Sequence, residues 1–374
     1  MSDDSSSDSS SIHSGSEYCN RDWKAKKFEI GSRQKTREQH LDVLVLPVSG
    51  GAFAAQLGMI KLLIQSGYKQ DLILGASGGN LSAYVCMAAD WKLNGIDRIA
   101  RTLNSGLFVK RWTPAPIPSI SVGYFEGSVY DHAHGIDEIF EMYFTPSTVT
   151  RDEIWTATYN RKRQKTCIYC NRSKEESIIN CDLIDQNLVQ CSEPKYLDGD
   201  IEQISKVCKA SASIPTVVPP VKIDGENNID GGMYYASPLT VMQEAIAVLN
   251  DGNYHLTYVN RMDIKYDKEC GECKNFMDNG MIAVAELVRG KILNDRLTAH
   301  SLLRHFGIGK YTEGVCTPKI LKQITNTRYQ SERSLLELYP LFTVEVDIEN
   351  FTGKDVLDCV NKAYNNCGYR LWYI

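Results

Sequence analysis

The sequence has no run of 18 or more consecutive apolar residues, so it predicts no membrane-spanning helix. It has no excess of basic residues either, and the net charge of −5 argues against a nucleic-acid-binding protein. The opening residues, MSDDSSSDSSS, are polar and acidic, unlike a secretory signal peptide. We therefore expect a cytoplasmic protein, whose twelve cysteines are reduced thiols rather than a disulfide framework.

The composition that remains is that of a soluble globular protein, with 43% hydrophobic and 23% charged residues. Residues 1–40 are rich in Ser and Asp and then basic, which predicts a disordered tail, because such a segment cannot bury a core. We expect the main domain over residues 41–260. Residues 261–374 are expected to extend that domain, with no function assigned to them.

Apolar strands alternate with helical patterns from Leu41 onward. The runs LDVLVLPV and LILG predict short buried strands, and AFAAQLGMIKLLIQSG and NLSAYVCMAADW predict helices. This β-α-β-α order with short connections indicates an α/β fold with a mostly parallel sheet covered by helices. Further strands are predicted at KTCIYC, YHLTYVN and LFTVEVDI, and further helices at 135–144 and 200–213.

One serine occupies the tightest point of a predicted strand-to-helix turn. In DLILGASGGNLSAY, Ser77 has Gly75 and Gly79 on either side. A G-x-S-x-G turn of this kind lifts a serine hydroxyl clear of the backbone, as a catalytic nucleophile requires. The pattern is weak alone, because a tight turn without any catalytic role has the same sequence.

A second glycine-rich turn, Ser49-Gly50-Gly51-Ala52, joins the first strand to the first helix. Backbone amides that converge at a helix N-terminus can hold a developing oxyanion. Adjacent parallel strands would bring this turn and Ser77 to one edge of the sheet. The candidate donors are therefore the amides of Gly50, Gly51 and Ala52, with Gly78. The alternative is a turn that only lets helix and strand pack closely.

A third motif, Asp230-Gly231-Gly232, lies downstream and would be a simple turn by itself. The order of the motifs resembles the patatin-like phospholipases over roughly residues 41–260. The residues that carry the resemblance are Gly50-Gly51, Gly75 to Gly79, Ala210-Ser211 through Ile214-Pro215 with Pro219-Pro220, and Asp230-Gly231-Gly232 with Pro238.

The resemblance implies a three-layer α/β/α fold and a Ser77–Asp230 dyad that hydrolyses acyl esters of lipids without calcium, metal or cofactor. Asp230 would act directly as the base, which requires burial to raise its pKa. The sequence departs from the family at Ser49 and Phe53, where the family usually has a third glycine and a basic residue.

Two alternatives remain open. One is a Ser-Asp-His triad of the α/β-hydrolase type, with His255, His300 or His305. Only one predicted strand precedes the strand that leads to Ser77, which disfavours this arrangement. The other is a lipid-binding module that has lost activity, an idea that the altered loop at Ser49 and Phe53 supports.

The expected partner is a phospholipid membrane surface or lipid substrate, which the protein would meet by peripheral association. The apolar stretch from Trp112 to Phe125 predicts either an interfacial lid or buried packing. Two C-x-x-C pairs, Cys167/Cys170 and Cys270/Cys273, lie far apart in sequence. They are interpreted as structural thiols rather than as a zinc site.

Overall fold

The computed structural model describes residues 40–103, 110–111, 130–131, 133–179, 191–215, 218–261, 276–304, 309–344 and 356–374. Three predicted features lie outside these residues: the tail over 1–39, the stretch from Trp112 to Phe125, and the pair Cys270/Cys273.

The described strands are short. In chain order they are β1 (Leu41–Leu46), β2 (Leu72–Ala76), β3 (Lys110–Arg111), β4 (Tyr130–Asp131), β5 (Glu153–Asn160), β6 (Lys165–Cys170), β7 (Lys195–Tyr196), β8 (Val221–Ile223), β9 (Glu226–Asp230), β10 (Tyr254–Val259), β11 (Lys310–Val315), β12 (Arg333–Pro340) and β13 (Cys367–Tyr373). In the first half of the chain, β1, β2 and β6 coincide with predicted apolar runs, whereas β5 was not predicted.

The described helices connect these strands and cover the sheet. They are α1 (Phe53–Gln65), α2 (Gly78–Ala88), α3 (Leu93–Thr102), α4 (Ala133–Tyr143), α5 (Pro146–Val149), α6 (Ile201–Ser211), α7 (Leu239–Val248), α8 (Phe276–Arg304), α9 (Pro318–Arg328) and α10 (Val356–Asn365). Within the described residues, no helix has both the length and the apolar character that crossing a membrane demands.

One large sheet organises the molecule. Its strands follow the order β11-β13-β12-β10-β1-β2-β5-β6-β7, and β9 joins β8 to β5. The central strands β12, β10, β1, β2 and β5 are parallel, whereas β6, β9 and β13 pair in antiparallel fashion. A two-stranded sheet of β3 and β4 stands apart in the topology. The predicted α/β class with a mostly parallel central sheet is confirmed.

The sheet has a hydrophobic core on each face. On β1, Leu44 and Leu46 pack with α1, α2 and α3 on one side. Val43 and Val45 pack with α7 and the C-terminal part of α8 on the other. All six residues of β1 are buried, which explains why the strand is apolar on both faces, with Asp42 as its one polar residue. Helix, sheet and helix therefore form three layers.

In the C-terminal third, the sequence analysis missed a strand. Residues 341–344 of the predicted strand LFTVEVDI are not strand, residues 345–348 lie outside the described residues, and the unpredicted strand β12 ends just before residue 341. The β12 sequence RSLLELYP includes charged residues, which obscured its apolar period. Glu337 is buried there because Arg296 and Arg370 neutralise its carboxylate. Tertiary pairing thus stabilises a strand that local hydrophobicity does not reveal.

Candidate active site

Three segments meet at the carboxyl end of the central strands. Leu46, the last residue of β1, is in register with Gly75 on β2, so the two following turns start side by side. Asp230 ends β9 opposite Thr158 on β5. The Val48 amide donates a 2.7 Å hydrogen bond to the carbonyl of Ala236, which ties the first turn to the segment after Asp230. Open α/β sheets bind ligands at this edge.

Ser77 has a strained backbone between β2 and α2. Its φ of 55° and ψ of −132° lie in a region that residues with a side chain rarely adopt. The Ser77 amide donates a 2.9 Å hydrogen bond to Ser211 Oγ, whose hydroxyl donates in turn to the carbonyl of Ala157 at 2.7 Å. Hydrogen bonds to neighbouring elements therefore hold the backbone of the turn in this conformation.

The glycines after Ser77 allow this turn to touch the Gly50 turn. A Cβ atom on Gly79 would lie 2.1 Å from the carbonyl oxygen of Leu46. One on Gly78 would lie 2.5 Å from Ser49 Oγ and 3.0 Å from the Gly50 amide nitrogen. Any larger residue at either position would separate the two turns.

Asp230 is a buried carboxyl with one unsatisfied oxygen. Its Oδ1 accepts a 2.7 Å hydrogen bond from the Gly232 amide, and its own amide donates to the Ser213 carbonyl at 3.0 Å. Among the described residues, Oδ2 has no partner within hydrogen-bond geometry. Burial raises the Asp230 pKa to about 7, although the nearby Ser77 hydroxyl and the Gly232 amide lower it in part. Catalytic hydrogen bonds are often long before substrate binds.

The first turn offers backbone amides beside Ser77. Gly50 has a φ of 53°, a conformation that favours glycine, and Gly50–Ala52 form a single 3-10 turn that leads into α1. The Ala52 amide already donates to the Ser49 carbonyl at 3.0 Å. It could stabilise an oxyanion only by sharing that bond, which favours Gly50 and Gly51 as donors.

Two residues of this site had no role in the sequence interpretation. Ser211 belongs to the quoted Ala210-Ser211 motif, and it holds the Ser77 amide. Gln56, in α1, is fully buried and bonds to Ser49 and to the Pro47 carbonyl. Its signal was visible in the sequence, since it is a glutamine within the otherwise apolar AFAAQLGMI.

The candidate histidines lie elsewhere or outside the described residues. His255 is in register with Asp42 near the start of β1, at the opposite end of the strands from Ser77, and shares a hydrogen bond with Ser334. His300 packs edge-on against Trp372, whose partner on β12 is Leu335, near the start of that strand. His305 lies outside the described residues.

The described cysteine pair shows no arrangement for metal binding. Cys167 and Cys170 are buried on β6 and belong to different hydrophobic clusters. Over the ranges that the structure describes, no three His, Cys, Asp or Glu side chains are grouped to hold a metal ion.

The fold and the site together define an α/β protein with a serine at a strand-to-helix turn and a buried aspartate close to it. The family model of the patatin-like phospholipases matches residues 46–242, more than half of the chain. The chain therefore belongs to the patatin-like phospholipase family, a family of lipid acyl hydrolases, and the predicted resemblance is confirmed.

Comparison with curated proteins gives no match. Among solved structures, VipD from Legionella pneumophila is similar with 11% sequence identity and a TM-score of 0.32. The match covers 88% of this chain and 66% of that one, so it spans just under two thirds of the length of VipD.

Proposed function

We propose that the protein cleaves fatty-acyl esters of phospholipids, as a phospholipase of the A type, through a Ser77–Asp230 dyad and an acyl-enzyme. The observation that carries the proposal is the buried Asp230 carboxyl. Its Oδ2 has no hydrogen-bond partner in the described part of the chain, and the strained Ser77 turn lies close to it. A desolvated carboxylate whose pKa is about 7 is a far better base than an exposed aspartate.

In this mechanism Asp230 accepts the Ser77 hydroxyl proton while Oγ attacks the ester carbonyl carbon. The carbonyl oxygen becomes an oxyanion, which the amides of Gly50 and Gly51, with Gly78, stabilise. Collapse of this intermediate breaks the ester bond, and the leaving alcohol takes the proton from Asp230. Water then gives a proton to Asp230 and attacks the acyl-enzyme. The bond between the acyl carbon and Oγ breaks, Oγ takes the proton back from Asp230, and the fatty acid leaves.

Backbone amides and a carboxylate supply both catalytic functions, so the proposed reaction needs no calcium ion and no cofactor. The substrate resides in a bilayer, and the protein would reach it by peripheral association from the cytoplasm. The stretch from Trp112 to Phe125 stays a candidate for the interfacial segment, with buried packing as the alternative, because aromatic side chains partition well into the membrane–water interface.

The geometry of the described residues weighs against the two alternatives. A triad through His255 would need that imidazole to move from the opposite end of the strands, where it is buried beside Ser334. A module without activity would have no use for a strained serine backed by an unsatisfied carboxylate, since both features lower stability.

The test uses the full chain, liposomes of a defined phosphatidylcholine and a fluorescent fluorophosphonate. We expect the wild type to release fatty acid, to react with the probe, and to do both in excess EGTA. Ser77→Ala should lose the reaction with the probe and at least about a thousandfold of turnover. Ser66→Ala, a substitution of a buried serine at the end of α1, is the matched control. Labelling that persists in Ser77→Ala, or turnover that depends on calcium, would refute the proposal.

A further inference from the structure

Gln56 is the most completely bonded polar side chain near the candidate site. It is fully buried in α1. Its Nε2 donates to the carbonyls of Pro47 at 3.0 Å and Val259 at 3.1 Å. Its Oε1 accepts from the Ser49 hydroxyl at 2.8 Å and shares the single proton of the Ser82 hydroxyl, 3.4 Å away, with the carbonyls of Gly78 and Phe53. A carboxamide has two N–H donors and two acceptor positions, so this environment uses its whole capacity.

These four bonds join the segments that the proposed chemistry must hold together. Pro47 and Ser49 belong to the turn that carries the Gly50 and Gly51 amides. Ser82 is in α2, one helical turn after Gly78, and its hydroxyl also contacts the Gly78 carbonyl at 3.1 Å. Val259 is the last residue of β10, on the other side of β1. Gln56 thus links the two turns and the strand beside them through a single planar group.

The helix itself has no need of a glutamine here. The flanking residues of α1 are apolar and buried, and a buried amide adds little net stability over an apolar side chain of the same volume. A saturated polar network, in contrast, selects one arrangement of the elements that it joins. Amides that stabilise an oxyanion work only when their positions are fixed before the reaction.

We infer that Gln56 is a positioning residue that fixes the Gly50–Gly51 amides relative to Ser77, with Ser49 as its contact on the turn. The inference rests on the proposed ester hydrolysis. Gln56 touches no reacting atom. It acts through the Pro47 carbonyl and the Ser49 hydroxyl, which set the course of the backbone just before the amides.

The expected effect is a loss of transition-state stabilisation with substrate binding retained. Misplacement of an oxyanion donor by about 1 Å costs on the order of a hundredfold in rate. Gln56→Met keeps the volume of the side chain and removes every one of the four bonds. We expect kcat on a short soluble p-nitrophenyl ester to fall by about 10- to 100-fold, with KM changed less than about threefold.

A transition-state analogue separates this role from a structural one. A trifluoromethyl ketone forms a hemiketal with a serine, in which the Oγ–carbon bond forms, the hydroxyl proton passes to the base, and the ketone oxygen becomes the oxyanion. Inhibition by the ketone should weaken in Gln56→Met in proportion to the loss in kcat/KM. Gln65→Met is the matched control, the same substitution at an exposed position of the same helix, and it should retain the wild-type constants.

Ser49→Ala provides a second variant if Gln56→Met does not fold. It removes one bond to Oε1 and should lower kcat several-fold, again with KM retained. Variants that fold and keep the wild-type kcat and ketone inhibition would overturn the inference while Ser77-dependent hydrolysis still stood. A wild type with no Ser77-dependent hydrolysis would instead refute the proposed function itself.

Discussion

Two buried aspartates show how similar burial produces different chemistry. Asp230 and Asp295 are each 1% exposed, and burial raises the pKa of each to about 7. Asp295, in α8, accepts hydrogen bonds from three hydroxyls: Ser237 at 2.7 Å, Thr240 at 3.1 Å and Tyr258 at 3.1 Å. Both of its oxygens have donors, whereas Oδ2 of Asp230 has none among the described residues.

The two carboxyls differ in the hydrogen-bond partners that surround each of them in the folded protein. Asp295 connects α8 to β10 and to the segment that precedes α7, so its hydroxyl partners serve to join elements. Asp230 is held through Oδ1 and its backbone, and its Oδ2, close to Ser77, has no partner in the described part of the chain. A high pKa alone therefore does not mark a catalytic base. The unsatisfied oxygen beside the proposed nucleophile is the feature that distinguishes Asp230 from Asp295.

The largest expected effect is on activity. Asp230→Asn should lower kcat on a soluble ester by about a thousandfold or more, because the amide cannot accept the Ser77 proton. Asp295→Asn makes the same change of charge at an equally buried position outside the proposed dyad, so it should retain at least about a third of the wild-type kcat. Steady-state kinetics with melting curves as a folding check measure both. Equal losses of kcat in the two folded variants would show that the two carboxyls do not differ in catalytic role.

The second effect is on the pH profile. Asp230 must be ionised to act as a base, so kcat/KM should fall about tenfold per pH unit below the pKa of about 7. Rates between pH 5 and pH 9 on a soluble ester test this. Because Asp295 has a similar pKa, Asp295→Asn serves as the control and should show the same fall of kcat/KM at low pH. If that fall disappears in Asp295→Asn, the titrating group is Asp295 and not Asp230.

The smallest effect is on stability. A folded pKa of about 7, above the unfolded value of about 3.9, means that the folded state binds the extra proton. Stability is therefore lost as the pH rises from about 4 to about 7, and Asp230→Asn should remove this loss. We expect its free energy of unfolding relative to wild type to rise by roughly 2 to 3 kcal/mol between pH 5 and pH 8.

Asp295→Asn sharpens this comparison by urea unfolding at the same two pH values. Its amide replaces one acceptor oxygen by a donor that faces hydroxyls, so it should be less stable than wild type at pH 5 by about 1 to 3 kcal/mol. Asp230→Asn should show no such deficit, because Oδ2 has no donor to lose among the described residues. A deficit of equal size in both variants would mean that the two sites are bonded alike.

Local pattern was enough for the first two strands and the helices that follow them. The apolar runs at LDVLVLPV and LILG and the helical spacing after each predicted β1, α1, β2 and α2, because a buried parallel strand is a continuous apolar run. The same reasoning missed the strand β12. There the Glu337 carboxylate is buried by ion pairs with Arg296 and Arg370, which are distant in sequence, a stabilisation that no local pattern contains.

By itself, the sequence determined a serine between glycines at Ser77 and glycine-rich amides at Gly50 and Gly51, because neighbouring residues dictate the short-range geometry of turns. Asp230 was selected only by the order of the motifs, which resembles the patatin-like phospholipases, since Asp-Gly-Gly alone is a simple turn. Only the tertiary structure decided that Asp230 would be desolvated, with one oxygen that no described residue pairs, that Ser211 would hold the strained Ser77 amide, and that Gln56 would link the turns. Desolvation and hydrogen bonding depend on groups brought together by the sheet, up to 203 positions apart in the bond from Gln56 to Val259.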